Sequence, residues 1–212
     1  MFPFFRSRNF HFLLNLQKPS SETLVWFKKL QMMNRLLCLI LLLFYSTVFS
    51  QEIEQSNSDS LKIEAVKRSR NLFWQNPIKH YGWVTDYEKL YTKEQIKTLN
   101  DLISKFEKET SNEIAIVSLD SLRVTDETFE DLSLRIAQKW GIGKAGKDNG
   151  IVIVISKQYR KIRIQNGNGI EKKISDQETK VILDHYFIPD FKNNNYYNGT
   201  INGVLALMKK LK

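Results

Sequence analysis

Apolar residues recur along this chain at spacings that alternate between the helical period of about 3.6 and the strand period of 2. Gly82-Trp83-Val84 reads as a short strand ending at Thr85-Asp86. Thr92-Lys93-Glu94-Gln95 is a capping box, in which the Thr side chain accepts from a free backbone N–H and Gln95 reaches back. Ile96, Leu99, Ile103 and Phe106 follow at helical spacing. Asn112 to Leu119 is apolar on both faces, and a strand buried on both sides needs a helix on each. Asp126 opens a second helix carrying Phe129, Leu132, Ile136 and Trp140 on one face. Ile151 to Ile155 is an unbroken β-branched strand, and a turn over Ser156–Tyr159 leads into Arg160–Gln165. That segment alternates, with Ile162 and Ile164 inward and Lys161, Arg163 and Gln165 outward, so the pair forms an antiparallel hairpin. Ser175-Asp176-Gln177-Glu178 caps a helix expected to reach Ile188 and stop before Pro189. Ile201, Val204, Leu205, Met208 and Leu211 mark a last helix. The order of elements predicts an α/β fold, a three-layer α/β/α sandwich with a mixed central sheet.

The N-terminal part reads differently. Met33-Asn34-Arg35 is a short basic start, Leu36 to Tyr45 (LLCLILLLFY) is wholly apolar but for Cys38 and Tyr45, and small residues at Val48 and Ser50 precede Gln51. This is the three-part layout of a secretory signal peptide over residues 33–50, with cleavage expected between Ser50 and Gln51. A spanning helix needs about 20 apolar residues, and this run is shorter. Residues 1–32 are rich in Phe and basic residues without a sustained period and read as upstream or mis-started sequence. Residues 51–80 form a flexible or partly helical lead-in: Leu61 to Trp74 has helical character, and Asn76-Pro77 ends it. The folded domain is expected over residues 81–212.

Charge and cysteine content then narrow the chemistry. The formal charge of the 212-residue chain is +9. Residues 1–50 hold six of the 32 basic residues and one of the 23 acidic ones, so 26 and 22 remain, too even a balance to point to nucleic acid. Cys38 is the sole cysteine and lies inside the apolar run, which leaves the mature chain without a disulfide partner, a thiol nucleophile or a thiolate metal ligand. Of the three histidines, His80 and His185 lie beyond residue 50, in no metal-ligand spacing. His185 follows Val181 by one turn and is expected to face the core. Lys161 and Arg163 with Lys172 and Lys173 read as a solvated basic face that could also meet an anionic lipid or phosphate. Asn198-Gly199-Thr200 matches a glycosylation acceptor and equally a helix-entry turn.

The loop Gly141–Gly150, GIGKAGKDNG, contains GxGxxG and nearly matches GxxxxGK[ST]. Nucleotide loops place a strand before the glycines and a helix after them, so that a helix N-terminus faces the phosphate. Here a helix enters and a strand leaves, so no nucleotide is expected. The loop reads as a helix–strand connector, or as a place where Asp148 and Asn149 offer oxygen ligands to a divalent cation.

The blocks "VTDYEKLYTKEQIKTLNDLISKFEKETSNEIAIVSLDSL", "LSLRIAQKWGIGKAGKDNGIVIVIS", "RKIRIQNGNGIEKKISD" and "IPDFKNNNYYNGTINGVLALM" together resemble the TPM domain, over roughly Gly82 to Leu211. The resemblance implies an α/β/α fold and an exported protein, periplasmic or secreted. It also implies links to acid phosphatase activity, divalent-cation binding (Ca or Mg) and the upkeep of membrane protein complexes. Positions that match and could carry a site are Asp86 in "VTD", Asp148 and Asn149 in "GKDNG", and Glu171 after "GNGIE". Two departures stand out. Asn168 replaces an aromatic residue common between the turn glycines of relatives, and the chain reaches Lys212 without the C-terminal transmembrane helix and Gly-rich tail that many bacterial relatives carry.

Two functions are compatible with these residues. One is a non-catalytic module that binds or maintains envelope or membrane proteins, with or without a bound divalent cation. The other is a metal-assisted hydrolase of phosphate esters, with Asp86 and Asp148 as catalytic and metal-binding carboxylates converging at one sheet edge. For the N-terminal segment, mass spectrometry of the exported protein is expected to find Gln51 as the first residue. A mature chain still starting at Met1 or Met33 would assign the apolar run to a retained anchor.

Overall fold

The computed structural model describes residues 21–77 and 82–212. The expected boundary at residues 80/81, His80 and the first 20 residues of the upstream segment lie outside the described residues. Two units separate, Met1–Ser60 and Leu61–Lys212. In the first, helix α1 (Ser21–Gln75) begins and includes the apolar stretch Lys28–Thr47, long enough by length and composition to cross a membrane and nowhere buried. Residues 51–60, expected as a polar lead-in, continue the same helix.

The second unit is built on a four-stranded sheet in the order β1-β2-β3-β4, with β1 Val84–Asp86, β2 Glu113–Ser118, β3 Gly150–Ser156 and β4 Lys161–Asn166. β1, β2 and β3 run parallel, and β4 returns antiparallel to β3. Helix α2 (Lys93–Thr110) connects β1 to β2, and α3 (Phe129–Trp140) connects β2 to β3. After β4 come α4 (Asn168–Glu171), α5 (Asp176–Ile182), a π-helical stretch Leu183–Phe187, α6 (Ile188–Lys192) and α7 (Tyr196–Leu211). This is the expected three-layer α/β/α sandwich with a mixed sheet.

The layers follow from the pleat. Ile114 and Ile116 of β2 and Ile151, Ile153 and Ile155 of β3 point to one face, where Leu99, Ile103 and Phe106 of α2 and Phe187, Val204 and Leu207 cover them. Ala115, Val117, Val152 and Val154 point to the other, under Phe129, Leu132, Ile136 and Trp140 of α3. Each fully buried Ile or Leu stabilises the fold by about 1.5–3 kcal/mol. The tail of α1 within this unit adds Phe73 to the α3-side core, with Tyr87 edge-on at 5.8 Å. The Arg70 side chain donates to Ser121 O at 2.8 Å, and Arg135 donates to Trp74 O.

Both capping boxes form, Thr92 with Gln95 and Ser175 with Glu178. Three expectations change. Pro189 does not end the helix, because the π-helical stretch Leu183–Phe187 widens the turn ahead of it and the proline sits in the first turn of α6. Its missing N–H is not needed there. The polar face of β4 is not simply solvated. Lys161 pairs with Asp126 at 2.9 Å, Arg163 with Glu130 at 3.6 Å, and the Gln165 amide donates to Ser133 Oγ at 2.9 Å, while Lys172 and Lys173, the rest of the expected basic face, are exposed. His185 is exposed and does not enter the core; its Nδ1 lies 2.9 Å from Val181 O.

Helix α7 crosses the π-helical stretch closely enough that a Cβ on Gly203 would lie 2.0 Å from the Phe187 ring. Alanine in an open helix position stabilises by about 1 kcal/mol over glycine. At Gly203 overpacking reverses that sign, and Gly203→Ala is expected to destabilise by about 1–3 kcal/mol in urea unfolding. A stabilised variant would show that α7 and the π-helical stretch are not in contact.

Candidate functional site

The parallel strands give the sheet two chemically distinct ends, and the predicted site residues divide between them. Asp86 closes β1 at the C-terminal edge, level with Ser118 at the end of β2. Its carboxylate accepts the Tyr91 N–H at 2.9 Å and the Ser118 hydroxyl. Ser118 Oγ in turn accepts the Glu88 N–H at 2.9 Å. The Glu88 carboxylate then accepts the Lys157 and Gln158 N–H groups at 2.7 and 3.0 Å, holding the β3–β4 turn. Burial pushes the Glu88 carboxyl above its ordinary range, opposed by those N–H bonds. Asp86 thus organises the chain between β1 and α2, with one bond from the fold to each of its carboxylate oxygens.

Asp148 and Asn149 lie at the opposite edge, ahead of the first residue of β3, where Gly150 pairs with Glu113. A seven-residue strand at about 3.3 Å per residue separates the two ends by roughly 20 Å. The expected convergence of Asp86 with Asp148 therefore does not occur. The reason is topological: both carboxylates flank parallel strands, but one follows its strand and the other precedes its own.

Asn149 is 7% exposed, and its side chain ties three segments together. Oδ1 accepts the Lys144 N–H at 2.8 Å, Nδ2 donates to Ser111 O at 2.5 Å, and the backbone carbonyl accepts the Glu113 N–H at 3.0 Å. The Gly143 N–H is turned inward to Glu113 Oε2 at 2.7 Å. Lys144 bridges Glu107 and Glu113 at 2.7 and 2.9 Å, and these two carboxylates hold its ammonium well above the usual lysine range. The loop reads as a connector in which Gly143 and Lys144 direct their N–H groups at the protein, the inverse of a phosphate cradle.

Glu171 is exposed in α4, whose loop meets this one: the Gly169 N–H donates to Asp148 O at 3.0 Å, and a Cβ on Gly169 would fall 1.9 Å from Lys147 O. Asp148 and Glu171 are thus carried by adjoining backbone, whereas Asp86 is remote from both. A calcium ion takes six to eight oxygens. With the Asn149 amide committed, this edge offers two exposed carboxylates, and no group of three His, Cys, Asp or Glu able to hold a metal occurs among the described residues. The donor set does not fit a protein-caged cation. Thr200, of the glycosylation-like triplet, is buried with its hydroxyl 2.8 Å from Tyr91 OH.

Sequence reasoning missed a cavity beside the C-terminal edge, where open α/β sheets usually take ligands. About 340 Å³ in volume, it is lined by Ser156, Arg160, Lys161, Ile162, Ile188, Phe191, Lys192 and Tyr196. The β3–β4 turn supplies one wall, α6 and the start of α7 the other. Arg160 has φ of 52°, a left-handed turn residue.

The family profile of the TPM domain matches residues 84–210, from β1 nearly to the end of α7. The chain belongs to the TPM-domain family. Among solved structures, it is similar to the N-terminal domain of a protein from P. gingivalis, at 28% identity and a TM-score of 0.55 over 66% of this chain and 86% of that one. It shares its fold with the BA42 protein of the psychrophilic bacterium Bizionia argentinensis, at 22% identity and a TM-score of 0.51 over 59% and 83%. No functionally curated protein matches the chain.

Because the carboxylate of Asp86 is built into the fold and that of Asp148 is not, their substitutions are expected to differ. Asp86→Ala, leaving the Tyr91 N–H and Ser118 hydroxyl without their acceptor, should lower unfolding free energy by about 1–3 kcal/mol. Asp148→Asn, which tolerates the local φ of 47°, should change it by no more than about 0.5 kcal/mol. Equal losses in chemical denaturation would mean that Asp148 also carries structure.

Proposed function

We propose that this TPM-domain chain is an exported or membrane-anchored module that binds and helps to maintain envelope or membrane proteins, without hydrolysing phosphate esters. The observation that carries this reading is the separation of the two carboxylates the hydrolase would need. Metal-assisted phosphoryl chemistry needs ligands converging on one oxygen-rich site to polarise phosphorus and activate water. Asp86 and Asp148 instead occupy opposite ends of the sheet, and Asp86 is committed to Tyr91 and Ser118. The rest of the C-terminal edge follows the same economy, since Glu88 holds the β3–β4 turn. The apolar helix Lys28–Thr47 is compatible with a signal peptide or an anchor, and either would deliver the domain to an envelope surface.

The test pairs an activity assay with a partner assay. Full-length chain in phosphatidylcholine nanodiscs, given p-nitrophenyl phosphate with and without Ca²⁺ or Mg²⁺, is expected to match the background of Asp148→Asn. Chemical cross-linking in intact cells is expected to give discrete adducts with membrane proteins. Cation-dependent turnover abolished in Asp148→Asn would overturn the binding reading in favour of the hydrolase.

A further inference from the structure

The cavity at the β3–β4 turn has a composition that neither the fold nor the Asp86 cluster requires. Arg160 and Lys192 approach it from opposite walls, both exposed and neither paired with a carboxylate among the described residues. Between them lie Ile162, Ile188 and Phe191, all partly buried, and Tyr196, 8% exposed. Lys144, Lys161 and Arg163, by contrast, are each held by a carboxylate. Two unneutralised cations over an apolar floor therefore describe a ligand with a negative group joined directly to an apolar body. At about 340 Å³ the cavity falls at the small end of ligand pockets and suits a group the size of one or two residues.

The neighbouring bonds decide which anion fits. A phosphate dianion is usually cradled by backbone N–H groups. In this turn the Lys157 and Gln158 N–H groups are taken by Glu88, and the Arg160 N–H donates to Lys157 O at 3.2 Å. Burial, and after it the nearby Glu88 carboxyl, raises the Tyr196 phenol above its ordinary range against the opposing Arg160 charge. A second negative charge on the ligand would work against Glu88, whereas a single carboxylate needs only the planar fork of Arg160 and one more donor.

We propose that this cavity binds the C-terminal carboxylate and last apolar side chain of a partner polypeptide. Arg160 takes the carboxylate, Lys192 and the Tyr196 hydroxyl supply the further donors, and the side chain lies on Ile162, Ile188 and Phe191. The assignment rests on the binding reading above and names the partner chemistry for it.

Fluorescence polarisation with the full-length chain in phosphatidylcholine nanodiscs tests it, using labelled octapeptides ending in Phe or Leu. Free-acid peptides are expected to bind at least tenfold more tightly than the same peptides amidated. Arg160→Gln and Lys192→Gln should each reduce that preference several-fold while circular dichroism and Tm stay unchanged, and Arg160→Lys should recover part of it. The remote Lys108→Gln should leave it intact. Absence of peptide binding, equal binding of amidated peptides, or indifference to both cation substitutions overturns the assignment. So does displacement of the peptide by phenyl phosphate at lower concentration than by 3-phenylpropionate, which would assign the cavity to phosphate. Cross-linked membrane-protein adducts that persist in Arg160→Gln would sink the cavity assignment and leave the broader binding reading standing.

Discussion

Burial of β2 and β3 on both faces is the constraint from which the rest of this domain follows. Ile114, Ile116, Ile151, Ile153 and Ile155 on one side and Ala115, Val117, Val152 and Val154 on the other are all withdrawn from water. No two-layer arrangement can satisfy them, so the chain must return helices to each face. The faces are unequal in bulk. Isoleucines meet the larger layer of α2, α5 and α7, while the smaller Ala and Val side chains leave room for Phe129 and Trp140 of α3. The tail of α1 completes the second face by adding Phe73.

That constraint also fixes where chemistry can be placed. With both faces covered, the sheet meets solvent chiefly at its ends, and the parallel run of β1, β2 and β3 makes those ends different. The N-terminal edge is occupied by a loop that bonds to itself and to Glu113, with the Lys144 ammonium between two carboxylates. The C-terminal edge is ordered by Asp86, Ser118 and Glu88, and beside it α6 and α7 stand away from the β3–β4 turn far enough to leave a cavity. The π-helical stretch contributes here. By carrying the helix through Pro189 it sets Ile188, Phe191 and Lys192 along the cavity wall, where a helix ending at Ile188 would have left a loop.

The glycine-bearing motif that first suggested a nucleotide has a mechanical explanation. Its backbone approaches the turn after β4 so closely that Gly169 has no room for a side chain against Lys147 O. The polar groups between them are satisfied internally, as buried backbone groups must be. Membership of the TPM-domain family and the likeness to the P. gingivalis domain agree with this reading of the blocks as fold-defining.

Most of the fold was legible in the amino-acid order because its signals are local. The capping boxes at Thr92 and Ser175, the unbroken β-branched run Ile151–Ile155, the alternation in Arg160–Gln165, and the stripe Leu99, Ile103 and Phe106 each depend on neighbours within a few residues. The continuation past Pro189 was not legible, since it depends on a change of helix pitch stabilised by α7 through the Gly203–Phe187 contact. The candidate site was legible only as residue types. Whether Asp86 meets Asp148 depends on strand direction and on which end of its strand each residue occupies, and those are properties of pairing between distant segments. The cavity shows the same limit in reverse. Arg160 and Lys192 are 32 positions apart and unremarkable alone, and only the packing of α6 and α7 beside the β3–β4 turn brings their charges to one apolar floor.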